Sequence, residues 1–91
     1  MKRTLIQFPS FESNLTTLLD SAEELLCGDL RSAATTLVSV QKRLTRVRGS
    51  TRHEQLGEFV GDALAACGRG ERDYALYVLM SALSKFIPRA A

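Results

Sequence analysis

Residues 11–29 have the sequence FESNLTTLLDSAEELLCGD, and this stretch decides the fold. Its apolar side chains recur every three or four residues, as they do on one face of an α-helix: Phe11, Leu15, Leu18, Ala22, Leu25 and Leu26. Ser10 is a suitable N-cap, because its hydroxyl can accept a hydrogen bond from an early helix N–H. Gly28 follows, and glycine adopts the left-handed conformation of a helix C-terminus at little cost. The stretch therefore predicts a first helix from about Ser10 to Cys27.

A second helix is predicted directly after this glycine. Asp29 is a good N-cap, and the apolar positions that follow it fit one helix face: Leu30, Ala33, Leu37, Val40, Leu44 and Val47. Gly49 is predicted to end the helix, as a C-terminal cap with positive φ like Gly28. Because so few residues link the first two helices, they should fold back on each other as an antiparallel hairpin.

A third helix is predicted from a capping box, in which Thr51 caps forward and Glu54 reaches back to the Thr51 N–H. Its buried stripe has six members: Leu56, Phe59, Val60, Ala63, Leu64 and Cys67. Gly68 and Gly70 end it.

A fourth helix is predicted from about Glu71 to Ile87, with Pro88 just beyond its end. This helix is apolar nearly all round, which is typical of a helix buried on several sides. Two interpretations stay open: the helix is the centre of a bundle, or it is shared with another chain. The candidate partner-binding residues are Tyr74, Tyr77, Met80, Leu83 and Phe86.

The chain of 91 residues is thus expected to be one all-α domain over residues 10–88, with four helices arranged as two antiparallel hairpins. Residues 1–9 are expected to form a short N-terminal arm, whose apolar side chains could dock on the body or on a partner. The start of the sequence lacks an apolar run of signal-peptide length, and no segment approaches the ~20 apolar residues of a membrane span. These features favour a reduced, cytoplasmic protein.

Charges are segregated along the chain, although the net charge is only +2. Charged residues from 10 to 29 are all acidic, and those from 30 to 52 are all basic. The second helix therefore carries a possible face for an anionic partner: Arg31, Lys42, Arg43 and Arg46. Nucleic-acid binding is the alternative function that this face suggests. Against it, no helix-turn-helix pattern or interleaved aromatic residue follows, and the acidic first helix can neutralise the stripe.

No group of residues indicates catalysis, a metal site, a cofactor or a small-molecule substrate. His53 is the only histidine and lacks a nucleophile and an orienting carboxylate, so an exposed first-turn residue is expected. Cys27 and Cys67 have neither disulfide-framework nor zinc spacing, and both are expected to pack as small apolar residues. The acidic group of the first helix is expected to be a solvated face: Asp20, Glu23 and Glu24.

The two hairpins also share a pattern of small and large residues. Gly28-Asp29 is followed by Ala33, Leu37 and Val40, and Gly70-Glu71 is followed by Ala75, Leu79, Ala82 and Pro88. The second helix of each hairpin thereby resembles that of the tetratricopeptide repeat, whereas the first helices match only at Ser21 and Ala63, and the repeat length of about 42 exceeds the family's 34. The resemblance implies a partner-binding scaffold, since small bacterial proteins of this kind include chaperones for secreted or polymerising subunits.

The sequence therefore predicts a small non-catalytic protein-binding module, an adaptor or a chaperone-like protein. It would engage a protein partner, or a second copy as a homodimer, through the apolar fourth helix or the groove between the hairpins.

Overall fold

The computed structural model describes residues 11–87. It consists of four α-helices: α1 (Phe11–Leu26), α2 (Leu30–Leu44), α3 (Thr51–Gly68) and α4 (Arg72–Phe86). Residues 11–87 contain no β-strand, so the all-α prediction is confirmed. The predicted arm over residues 1–9, the Ser10 cap and Pro88 lie outside the described residues.

The helices form a closed ring in which α1 packs on α2, α2 on α3, α3 on α4 and α4 on α1. Contacts at the helix ends show that α1 and α4 run in opposite directions. The Phe11 ring meets the Phe86 ring at a centroid distance of 5.2 Å, while Arg72 Nη1 donates to the Leu25 carbonyl at 3.2 Å. The two hairpins are therefore joined along both edges.

The α1–α2 pair is antiparallel as well. Asn14 near the start of α1 contacts Arg43 near the end of α2, and Glu24 near the end of α1 contacts Thr36 in the middle of α2. Each helix turns one stripe inward, and the fully buried large side chains include Leu18, Leu25, Leu37, Leu56 and Leu79. The space between the hairpins is thus occupied by a packed core.

The turns after α1 and α3 depend on glycine. Gly28 has φ +83° and Gly70 has φ +75°, a region that residues with a Cβ rarely adopt. The Asp29 N–H donates back to the Glu24 carbonyl at 2.9 Å, which satisfies a carbonyl at the end of α1. The prediction of positive φ at Gly28 is confirmed.

Gly49 also has positive φ, as predicted, but it does not cap α2. The helix ends at Leu44 with Thr45 as its C-cap, several residues before the glycine. The N–H groups of Arg46 and Val47 donate to carbonyls three residues earlier, so tighter turns replace the last predicted helical turn.

The start of α3 is displaced by one residue from the predicted capping box. Ser50, not Thr51, is the N-cap: its backbone is extended and its hydroxyl accepts from the His53 N–H at 3.4 Å. Thr51 is already helical, so it cannot serve as the cap. The N-cap of α2 is as predicted, because Asp29 Oδ1 accepts from the Ser32 N–H at 3.0 Å.

Two residues at the end of α1 were placed wrongly by the sequence pattern. Leu26 was expected in the buried stripe and is 63% exposed, and Cys27 was expected to pack as an apolar residue and is exposed. Successive helical residues lie 100° apart, so Leu25 in the core turns its neighbour toward solvent. Cys67 is buried, as predicted.

Candidate functional site

The outward surface of α4 carries large apolar side chains that the bundle does not cover. The exposed fractions of the three residues concerned are 44% for Tyr74, 67% for Tyr77 and 50% for Met80. We call these three residues the outer strip. The opposite side of the same helix is core: Ala75, Val78, Leu79, Ala82 and Leu83. The apolar residues of α4 therefore fall on two sides of the helix, one buried in the core and the other exposed to solvent.

Two of the predicted partner-binding residues do not belong to this surface. Leu83 is only 4% exposed and packs in the core. Phe86 is half-buried, and its ring makes edge contacts with Phe11 at 5.2 Å and with Phe59 at 6.2 Å between centroids. Both side chains hold α4 on the bundle.

Tyr74 joins the outer strip to α3. Its hydroxyl donates to Asp62 Oδ2 at 2.9 Å, and this hydrogen bond raises the pKa of the phenol. The rings of Tyr74 and Tyr77 lie 6.3 Å apart between centroids. Beside them, α3 contributes a shallow recess of about 190 Å³ lined by Glu58, Phe59 and Asp62. One edge of the strip is therefore acidic and includes an aromatic side chain.

The other edge of the strip adjoins α1. The contacts of Phe11 with Phe86 and of Arg72 with Leu25 set the register of the two helices, and they place Leu19 level with the middle of α4. Leu19 is 44% exposed, on the side of α1 turned away from the α2-facing Asn14. Leu19 and the exposed residues of α4 thus lie on the same side of the bundle.

The basic face of α2 is smaller than the sequence suggested. Arg31, Lys42 and Arg46 are exposed, but Arg43 turns toward α1, where its Nε donates to Asn14 Oδ1 at 2.9 Å. Asn14 is 1% exposed, and this bond satisfies its buried oxygen. A polar residue within the apolar stripe of α1 was the sequence signal for this contact.

Ion pairs do not neutralise the remaining basic side chains of α2. The ion pairs formed within residues 11–87 are Arg69–Glu71 at 2.8 Å and Arg72–Asp73 at 3.2 Å, each between near neighbours in sequence. The acidic helix does lie beside the basic one, but Glu24 accepts a hydrogen bond from Thr36 at 2.9 Å instead of meeting a cation. The positive charge of α2 stays available to solvent.

An open groove of about 700 Å³ runs between α1 and α2. Acidic side chains of α1, among them Asp20 and Glu23, face hydroxyls of α2 such as Thr35 across it. Within the described part of the chain, no three His, Cys, Asp or Glu side chains are close enough together to hold a metal ion. The groove is lined mainly by polar side chains.

His53 was expected to be exposed but is half-buried, because its ring packs on Phe11 and contacts a hydroxyl that the sequence did not reveal. Its Nδ1 lies 2.8 Å from Ser50 Oγ, the same oxygen that caps α3, and its ring meets the Phe11 ring edge-on at 5.1 Å. Within residues 11–87 no carboxylate hydrogen-bonds to this imidazole. The Ser50 hydroxyl therefore contacts both the backbone N–H and the ring of His53 at the start of α3.

The thiols are free and differ in environment. Burial raises the pKa of the Cys67 thiol, which packs against the core, whereas Cys27 is exposed at the end of α1. A buried thiol with a raised pKa is a poor nucleophile.

No protein-family model, no curated protein and no solved structure matches the chain. The resemblance to the tetratricopeptide repeat therefore stays a prediction. Among the described residues, no helix combines the length and the apolar character that crossing a membrane requires.

Proposed function

We propose that this chain is a small non-catalytic protein-binding module whose contact surface is the outer strip of α4. One observation carries the proposal: Tyr74, Tyr77 and Met80 are exposed together on a helix whose opposite side is core. Tyrosine and methionine are enriched in protein interfaces, where tyrosine supplies much of the binding energy.

The surroundings of the strip support this use over a catalytic one. The exposed Leu19 of α1 lies on the same side of the bundle, and the polar groups beside the strip, Asp62 and Glu58, suit the rim of an interface. Among residues 11–87, the cavity described beside the strip is the recess of about 190 Å³ lined by Glu58, Phe59 and Asp62. A protein partner or a second copy is the occupant that such a flat apolar surface fits.

An adaptor or chaperone-like role in the cytoplasm is the biological setting that we propose. The tetratricopeptide resemblance points to such a role, and the two free thiols suit a reducing compartment. Because both edges between the hairpins are closed by helix packing, we assign binding to α4 and not to a groove between the hairpins.

A comparison of two variants tests the proposal. Tyr77→Glu places a charge in the centre of the strip, whereas Val38→Glu places the same charge on α2, where Val38 is 36% exposed. Each protein, immobilised, is exposed to a nuclease-treated extract of the native cell, and bound proteins are identified by mass spectrometry. We expect the wild type and Val38→Glu to retain the same proteins and Tyr77→Glu to lose them. Equal retention by all three proteins would refute the assignment to α4.

Nucleic-acid binding by α2 is the second candidate, and the unpaired Arg31, Lys42 and Arg46 favour it. Phosphate contacts weaken steeply with salt, because binding releases condensed counterions. A salt-dependent affinity for DNA or RNA that disappears when these three residues are replaced by alanine would promote this candidate. Arg43 is left intact in that variant, since its role is structural.

A further inference from the structure

The outer strip lies between two opposite charges on the same edge of α4. At one end, Asp62 of α3 holds the Tyr74 hydroxyl at 2.9 Å. Lys85 lies at the other end and is exposed. Tyr74 and Lys85 are about three helical turns apart, so both lie on the edge of α4 that faces α3. The strip therefore has an acidic end and a basic end along one line.

Neither end forms an ion pair within the described residues. No carboxylate lies within ion-pair distance of Lys85, whose ammonium instead lies 5.8 Å from the centre of the Phe86 ring. Arg69 lies close enough to Asp62 for a Coulombic interaction, but its ion pair is with Glu71 at 2.8 Å. The recess thus combines two carboxylates, of Glu58 and Asp62, with the aromatic ring of Phe59, and within the described residues neither carboxylate is in an ion pair.

A two-fold axis across the strip would bring these ends together. When identical helices pack antiparallel about such an axis, the same edge of each helix faces the same side, and the two ends of one strip meet the opposite ends of the other. If Tyr77 packs on Met80 of the second copy, Lys85 comes within one turn of the other copy's Tyr74. Helical side chains lean toward their own N-terminus, which carries the ammonium further toward Tyr74 and Asp62.

We infer that the occupant of the outer strip is a second copy of this chain, bound as an antiparallel α4–α4 pair. The Tyr77 and Met80 side chains form its centre, and each Lys85 enters the recess beside Asp62 of the other copy. Its alkyl stem covers Phe59 while its ammonium meets the carboxylates of Glu58 and Asp62. The inference rests on the proposed function, because it names the protein that the strip binds.

The charges of the strip favour a second copy over a foreign protein, because the basic end of one copy is complementary to the acidic end of the other. A foreign partner would need its own cation and anion at matching positions, whereas a second copy supplies both by symmetry. Charge reversal at either end should therefore disrupt pairing twice in each dimer, since both Lys85–Asp62 contacts become repulsive.

A charge-swap experiment tests the inference. The wild type, Lys85→Glu and Asp62→Lys are studied by sedimentation equilibrium at low salt, at concentrations up to about 500 µM, each alone and as an equimolar mixture of the two variants. We expect the wild type to dimerise and each variant alone to dimerise at least tenfold more weakly. The mixture should recover a dimer of near wild-type affinity, because every contact then pairs a cation with an anion.

Matched control variants show whether an effect on dimerisation depends on where the charge is changed or only on the change in net charge. Lys42→Glu and Glu23→Lys make the same charge changes on α2 and α1, away from the strip, and should dimerise like the wild type. Glu58→Lys is the second acidic-end variant, to be used if Asp62→Lys shows reduced helicity by circular dichroism.

Two results would overturn the inference: a wild type that is monomeric throughout, or a mixture that dimerises no better than its components. Neither would remove the proposed function, which stands if Tyr77→Glu still loses a partner that Val38→Glu retains. If the charge swap fails and Tyr77→Glu also retains the same proteins as Val38→Glu, both the inference and the proposed function are refuted.

Discussion

Arg43 shows how one polar residue changes the meaning of a basic pattern. In the sequence it belongs with Arg31, Lys42 and Arg46, but in the structure its Nε donates to the buried Asn14. Helical periodicity places it at the flank of the basic face and cannot decide which way a long side chain turns. The direction of the Arg43 side chain is set by Asn14, because a buried amide oxygen without a hydrogen-bond donor costs free energy.

Replacement of Arg43 should therefore cost stability, whereas replacement of its neighbour should not. We expect Arg43→Ala to lower the free energy of unfolding by about 1–3 kcal/mol, since Asn14 Oδ1 loses its donor. Lys42→Ala, one residue away and exposed, should change it by less than about 0.5 kcal/mol. Urea denaturation of both variants measures the difference, and equal stabilities would mean that the Asn14 contact contributes nothing.

Gly28 is the second residue whose identity the backbone requires. With φ +83° it stands in a conformation that a Cβ disfavours, although a Cβ there would meet no other atom within 4 Å. We expect Gly28→Ala to destabilise the protein by about 1 kcal/mol. Gly57→Ala is the control, because Gly57 lies inside α3 with equally open surroundings, and alanine there should add roughly 0.5–1 kcal/mol of stability. Thermal melts of both variants that shift in the same direction would contradict this account of the turn.

At the scale of the element, apolar periodicity located all four helices but not all of their ends. It failed at the end of α2, where Val47 continues the apolar spacing although the helix stops at Leu44. It also failed at the start of α3, because Ser50 and Thr51 are both good caps and only the backbone conformation selects Ser50. Adjacent residues with equal propensity leave a boundary undecided until the chain is packed.

The two sides of α4 are the clearest case of what the pattern could not decide. Tyr77 and Leu79 are both apolar, yet Tyr77 is 67% exposed and Leu79 is fully buried. A signal was present in the polar residues, since Asp73 and Ser84 are exposed on the same side of the helix as Tyr77 and Met80. A helix that is apolar nearly all round can thus be assigned an outward side from its few polar positions.

Stability measurements separate the two sides. We expect Leu79→Ala to cost about 2–5 kcal/mol, because it removes a buried side chain and leaves a cavity. Tyr77→Ala should change stability by less than about 0.5 kcal/mol, because its side chain contributes little to the core. The measurement is chemical denaturation at a concentration low enough to exclude association. A large loss for Tyr77→Ala under those conditions would show that the strip belongs to the core.

At the scale of the whole molecule, the sequence predicted the two hairpins but not how they meet. The ring closes because α4 returns to α1, through the Phe11–Phe86 ring contact at one end and the Arg72–Leu25 hydrogen bond at the other. These residues are far apart in sequence, and no local spacing relates them. Closure is what turns the outer strip of α4 away from the other three helices and leaves it exposed.

One measurement tests most directly whether the outer strip is a protein contact. A photoreactive phenylalanine analogue is placed at position 77 in one variant and at position 38 of α2 in another, and both are irradiated in the native cell. Replacement of Tyr77 by another aromatic side chain keeps the apolar character of the strip, so binding should survive. We predict a covalent adduct to a protein, either a second copy or another chain, at position 77 and none at position 38. Adducts at position 38 alone, to protein or to nucleic acid, would contradict the assignment of binding to α4.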